Sequence, residues 1–289
     1  MVLKSKKYVL LFLSPAILLI TVFLYFPLAK TVEYSFTNYS NWSQIFDFIG
    51  VENYKRLFTD PIIVKSLINT FILLIGCVVV EVGFALILSV LADSIRRGFK
   101  FFRTVYFFPV TISGSAIGLM FYLVFQFEYG LMNNILASMG MEKVNWITEK
   151  SAMYLVLIPV LWQYVGFYFV IFLTAIAGVP ADIYESAVLD GITGIKKTIY
   201  ITIPLIKDVV ITAISLVIAG SLKVFDIVFV MTGGGPMDAS QLLSTYQYQQ
   251  AFVYNNQGYA SAVSVLIITL GLVIYVATNL KFQKREDLY

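Results

Sequence analysis

Six long apolar stretches divide this chain, near residues 8–29, 68–92, 104–126, 153–177, 208–230 and 259–280, and no other feature limits its fold so tightly. About 20 mostly apolar residues are what a helix needs to cross the hydrocarbon core of a bilayer, so each stretch can span once. The expected fold class is therefore all-α: a polytopic membrane protein with six transmembrane helices. Composition agrees, since 59% of the residues are hydrophobic and 13% charged, where soluble domains hold about 45–50% and about 25%. Neither a tandem repeat nor a low-complexity tract interrupts the pattern, which leaves one membrane domain. Its expected parts are 1–67 (first span and outer loop), 68–280 (the core) and a tail at 281–289. The outer link from about 30 to 67 carries Trp42, Phe46, Phe48, Tyr54 and Phe58, aromatic enough to be expected to pack on the domain.

Basic residues set the orientation. Lys4, Lys6 and Lys7 precede the first span; Arg96, Arg97, Lys100 and Arg103 fill the short link between the second and third. Lys196, Lys197 and Lys207 follow the fourth, and Lys281, Lys284 and Arg285 follow the sixth. In a six-span chain these all lie on one side, and the positive-inside rule makes that side the cytoplasm, with both termini inside. The opposite loops interleave Lys30, Lys55, Arg56, Lys65, Lys143 and Lys150 with seven acidic residues. A basic start before an apolar core also suits a cleaved signal peptide, but the run Tyr8 to Ala29 is long for one and Phe26-Pro27-Leu28-Ala29-Lys30 is a poor cleavage site. A membrane anchor is expected.

Several chemistries lack their residues. There is no histidine, and the single cysteine, Cys77, supports neither an intrachain disulfide nor a cysteine metal cluster. A net charge of +3 without a basic stripe does not suit nucleic acid. Gly233, Gly234 and Gly235 are followed by no lysine in their loop, and no phosphate-binding G-x-x-x-x-G-K-[ST] occurs, so they read as a turn. Ser113 and Ser115 have no lysine or carboxylate nearby in their span to activate them. An enzyme is not expected. Glu81 falls in mid-span, where an ionisable group faces protein or water; pairing with another helix and a part in a transport path both remain open. Lys223 and Asp226, three apart, are placed to neutralise each other on one helix face or to line such a path.

Between the fourth and fifth spans, at 179–204, Asp182 can cap a helix with Glu185 reaching back, and Gly191 suits the left-handed residue that ends it. The spacing predicts a helix over 183–190. Tyr184, Ala187 and Val188 share one face, and Ile195, Ile199 and Ile203 recur beyond the turn, so a soluble partner could receive this loop.

The stretch Glu185-Ser186-Ala187-x-x-Asp190-Gly191, followed by Ile201-x-Ile203-Pro204, resembles the EAA loop of ABC importer permeases. Phe48-Ile49-Gly50-Val51-Glu52-Asn53-Tyr54 resembles the first outer loop of carbohydrate permeases of the maltose and glycerol-phosphate type. Phe225-Asp226, Met231 to Pro236 and Ser244-Thr245-Tyr246 resemble the segment after the fifth span in the same group. Ser186, Ile192 and Ile203 depart mildly from the EAA pattern. The resemblance implies a type I ABC importer permease fold in a prokaryotic cytoplasmic membrane. It implies a heterodimer with a second permease, two ATP-binding subunits that hold the ATP and Mg, no cofactor in this chain, and an extracytoplasmic solute-binding protein that delivers a carbohydrate. Coupling to the ATPase would fall on Glu185, Ser186, Ala187, Asp190 and Gly191. A secondary transporter or channel is the alternative, but it would not need that loop. For the sugar path the fourth span offers Gln163, Gly166 and Phe167 on one face, an amide, a gap and an aromatic plate, and the fifth offers Ser221, Lys223 and Asp226.

Overall fold

The computed structural model describes residues 6–40, 42, 43, 46–93 and 99–283. Lys4, Arg96, Arg97, Lys284 and Arg285, part of the expected inner charge, lie outside the described residues, as do the side chains of Lys6, Lys7, Lys100 and Lys281. Among the described residues the regular elements are helical, with isolated bridges only at Thr37–Phe48 and Ser40–Ser43. Four segments are long and apolar enough to cross a membrane: Val9–Ser35, Pro61–Asp93, Ala152–Ala177 and Gln257–Thr278. Counted as one span each, two helix pairs bent by 95° and 73° bring the number among the described residues to six.

The described residues form thirteen helices. α1 covers 6–35 with a π turn at Thr21–Tyr25, α2 is Glu52–Thr59, and α3 is Pro61–Asp93 with a π turn at Val78–Val82. α4 is Phe99–Phe107, continued by a 3-10 turn at Phe108–Thr111; α5 is Gly114–Phe125, α6 Leu131–Ser138 and α7 Ala152–Ala177. α8 is Ala181–Leu189, α9 is Gly194–Leu205 and α10 is Lys207–Ser221. α11 is Asp226–Met231, α12 covers 243–253 and α13 is Gln257–Gln283.

The third and fifth spans differ from the unbroken helices expected. At Ile112 and Ser113 the backbone turns extended, and Ser113 caps α5 by accepting the Ala116 N–H. The fifth stops at Ser221 and resumes, as α11, only at Asp226. Smooth hydropathy hides both breaks because a break of two or four residues barely changes a window average.

The chain forms two compact units, Met1–Asp60 with Gln247–Thr269 and Pro61–Tyr246 with Leu270–Tyr289. In the first, the Asn53 amide donates to the Ser35 and Thr37 carbonyls at 2.9 Å each. Gly258 lets α13 approach so closely that a Cβ there would collide with the Thr37 carbonyl oxygen. Tyr34, Tyr39 and Phe46 form one ring cluster, while Trp42, Phe48 and Phe58 stay exposed.

In the second unit α3 packs along α7, burying Leu73, Val156, Val160, Phe169 and Phe172. Lipid tails are as apolar as these side chains, so the contact is held by close packing and by polar ties. Ser89 donates to the Phe169 carbonyl at 2.9 Å. Asn69 donates to the Ala239 and Gln241 carbonyls at 3.1 and 3.0 Å, and Thr70 accepts the Leu243 N–H. These bonds pin the loop after α11 to α3. α11 lies on α5 where Gly114 and Gly118 leave room: a Cβ on Gly118 would stand 3.0 Å from the Ile227 carbonyl oxygen. Gly114-x-x-x-Gly118 is the small-residue spacing that brings helix backbones together in lipid.

Candidate functional site

Within the second unit α3, α7, α10 and α11 enclose a cavity of about 260 Å³, to which Gly114 of α5 also contributes. Four of the six residues expected on a path line it: Gln163, Ser221, Lys223 and Asp226. The break after Ser221 brings the last two in, because an unbroken helix would carry Lys223 and Asp226 around its own barrel. It also separates them. No ion pair joins them among the described residues. Asp226 instead packs against Gly114, the first residue of α5, where a Cβ would stand 3.3 Å from its Oδ2. A carboxylate there meets the positive end of the α5 dipole.

Gly166 and Phe167 stand elsewhere. A Cβ on Gly166 would collide with the Tyr106 carbonyl oxygen, so this glycine lets α4 cross α7. Phe167 packs edge-on against Tyr168, ring centroids 5.2 Å apart. Gln163 has one commitment: its Nε2 donates to the Ile112 carbonyl at 3.0 Å, satisfying an acceptor that the break in the third span leaves without a helical partner.

Sequence reasoning passed over Cys77, Tyr164 and Tyr168 and did not assign Glu81, yet all four line the cavity. Tyr164 and Tyr168 sit one turn apart beside Gln163, so the signal was a hydroxyl-bearing stripe next to the one chosen. Glu81 is 3% exposed and lies in the π turn of α3; Cys77 precedes it by one turn. π turns are frequent at functional positions.

The loop after α7 forms a helix over Ala181–Leu189, two residues earlier than expected at its start. Pro180 is the N-cap and no side chain caps the helix, so the expected capping box of Asp182 and Glu185 is absent. Proline brings no N–H that needs a partner, and its carbonyl accepts the Ile183 N–H. Asp182 falls in the first turn, where it favours the dipole. The C-terminus is as expected. Gly191 has φ +74°, with Ile192 N–H bonded to Ala187 C=O and Gly191 N–H to Val188 C=O, the two bonds of a Schellman motif.

The apolar face of the loop divides. Ala187 is buried, and Tyr184 is half-buried beneath the Lys197 ammonium, 4.7 Å from its ring centroid. That edge therefore packs onto the chain itself. Val188, Leu189 and Ile195 are exposed by 57, 88 and 75% and form the outward edge, with Glu185, Ser186 and Asp190 also exposed.

Residues 82–285 match the family described as binding-protein-dependent transport system inner membrane component. The probable ABC transporter permease protein YurN of Bacillus subtilis is 37% identical, with 99% of this chain and 100% of that protein aligned. The multiple sugar-binding transport system permease protein MsmF of Streptococcus mutans is 31% identical over 94% of this chain and 95% of its own. Among solved structures, a bacterial ABC transporter involved in the import of the acidic polysaccharide alginate superposes with a TM-score of 0.85 at 21% identity, covering 96% of both chains. At that identity the likeness concerns the fold.

Proposed function

Because the chain belongs to the binding-protein-dependent transport system inner membrane components, we propose that it is one half of a permease pair that carries a sugar or oligosaccharide inward through the cavity beside α7 and α10. The second half is a homologous but different permease. A solute-binding protein delivers the sugar from outside, and two ATPase subunits bind ATP with Mg and dock from the cytoplasm. The chain itself catalyses no reaction.

What carries this reading is one juxtaposition. The cavity with polar lining lies between the two helices, α7 and α10, that the exposed α8–α9 loop connects in sequence, so movement of that loop acts on both walls. The relatives add the chemistry: MsmF is named for multiple sugar binding, and a Rhizobium radiobacter relative, 31% identical, is a lactose transport system permease protein. The location is the prokaryotic cytoplasmic membrane with both termini inside. Exposed Arg103, Lys196 and Lys207 support that orientation, since each borders an apolar stretch and the positive-inside rule favours such residues in the cytoplasm.

Purified alone in liposomes, the chain should neither hydrolyse ATP nor take up sugar. With its second permease, ATPase and binding protein it should do both, and ATP-driven uptake by the lone chain would overturn the proposal.

A further inference from the structure

Three polar side chains converge on the cavity almost without partners. The Tyr168 hydroxyl, on a residue 5% exposed, has no hydrogen-bond partner among the described residues, and the Tyr164 hydroxyl, on an exposed residue lining the same cavity, has none there except what enters from solvent. Glu81, at 3% exposure, has no cation within ion-pair distance among the described residues, and its one side-chain partner is the Cys77 thiol, a weak donor. Every other buried polar group nearby is spent: Ser221 donates to Val217 C=O, Ser89 to Phe169 C=O and Gln163 to Ile112 C=O. Buried polar groups are ordinarily satisfied, and those that are not ask for an explanation. A carboxyl in mid-span is costly to leave so, and a π turn holds this one on the cavity wall.

We propose that Glu81 is a specificity-determining residue of this cavity: with the Tyr164 and Tyr168 hydroxyls it engages the hydroxyl groups of a neutral saccharide and rejects saccharides that carry carboxylates. This rests on the carbohydrate reading above. A carboxyl oxygen accepts from a sugar hydroxyl, and two oxygens on one carbon can take two neighbouring hydroxyls of a ring. The tyrosine hydroxyls donate or accept as the ring requires. An acidic sugar would bring its carboxylate into a space shielded from water where Glu81 offers it no cation, so the charge would lose its hydration with nothing to replace it. The other charges on the cavity, Lys223 and Asp226, are exposed and opposite in sign, so water screens both and Glu81 sets the preference at depth.

Cys77, the only cysteine in the chain, lies on the same wall one turn away and reports the local charge. In the assembled importer, a cationic and an anionic methanethiosulfonate should label Cys77 at different rates, read by mass on this chain. The ratio of the two rates cancels the reactivity of the thiol itself. With labelling carried out at about pH 9, the cationic reagent is expected to react severalfold faster than the anionic one in the wild type. In Glu81→Gln the ratio should fall towards one. Uptake of a panel of neutral disaccharides, lactose included, should show a raised KM in Glu81→Gln and loss in Glu81→Leu, with the complex recovered assembled in both. The uronic-acid counterparts of those sugars should be excluded by the wild type and gain ground in Glu81→Gln. An unchanged labelling ratio, or unchanged KM and selectivity in both variants, overturns the role of Glu81. If the labelling ratio shifts as expected but the wild type moves no sugar of either kind, the carbohydrate reading fails instead, and this proposal with it.

Discussion

Gly191 shows how much one residue can fix. Its φ of +74° and the two Schellman bonds end α8 and send the chain into α9. A branched residue there costs about 1–2 kcal/mol in the left-handed region. Gly191→Val should leave the spans inserted and the complex assembled while lowering sugar-stimulated ATPase severalfold; full stimulation would show that this turn does not transmit. Glu185 is a different case, because it is exposed and caps nothing. Glu185→Ala should therefore preserve the helix and the yield of inserted protein, and any loss of stimulated ATPase measures contact with the partner. The glycine was legible from its place after Leu189 and Asp190, since few other residues adopt that conformation. The capping box was not, because Pro180 competes for the same helix start two residues upstream and needs no cap of its own.

At the scale of elements, glycines in the same bundle do opposite things. Gly118 seats α11 on α5, with the Ile227 carbonyl oxygen 3.0 Å and the Val230 Cβ 3.2 Å from where its own Cβ would be. Gly220 lines the cavity and has open space around that position. Gly118→Leu should cost about 1–3 kcal/mol by overpacking and reduce the yield of folded importer. Gly220→Leu should leave yield and thermal stability near wild type but restrict sugar uptake, and the reverse pattern in a stability and transport comparison would exchange their roles. Six apolar segments were visible in the sequence because each satisfies the length of a bilayer. The breaks at Ile112–Ser113 and Leu222–Phe225 were not, since they depend on which backbone acceptors Gln163 and the packing of α11 on α5 can compensate, and such contacts are non-local. The same breaks bring Asp226 and Lys223 to the cavity, so the site was legible in its residues and illegible in its geometry.

For the molecule as a whole, orientation is the property that sequence carries most directly, through where its basic residues fall. Reporter domains fused after Gln283 and within the α8–α9 loop should both be active only in their cytoplasmic form; an exported form at either position would invert the topology. Depth is fixed differently. α3 reaches Glu81 through the π turn at Val78–Val82, which holds one residue more than the same length of α-helix would. That turn takes up the extra residue locally, and it lets the outer and inner halves of one span keep separate rotational settings. Asn69, which pins the loop after α11, belongs to one half, and Ser89, which holds α7, to the other. Removing one residue would close the turn into plain α-helix and change which side chain this stretch of α3 holds on the cavity wall. Relatives one residue shorter at this turn should thus present a different side chain to the cavity, so a change in chain length, with no substitution at all, becomes a route to a new cargo.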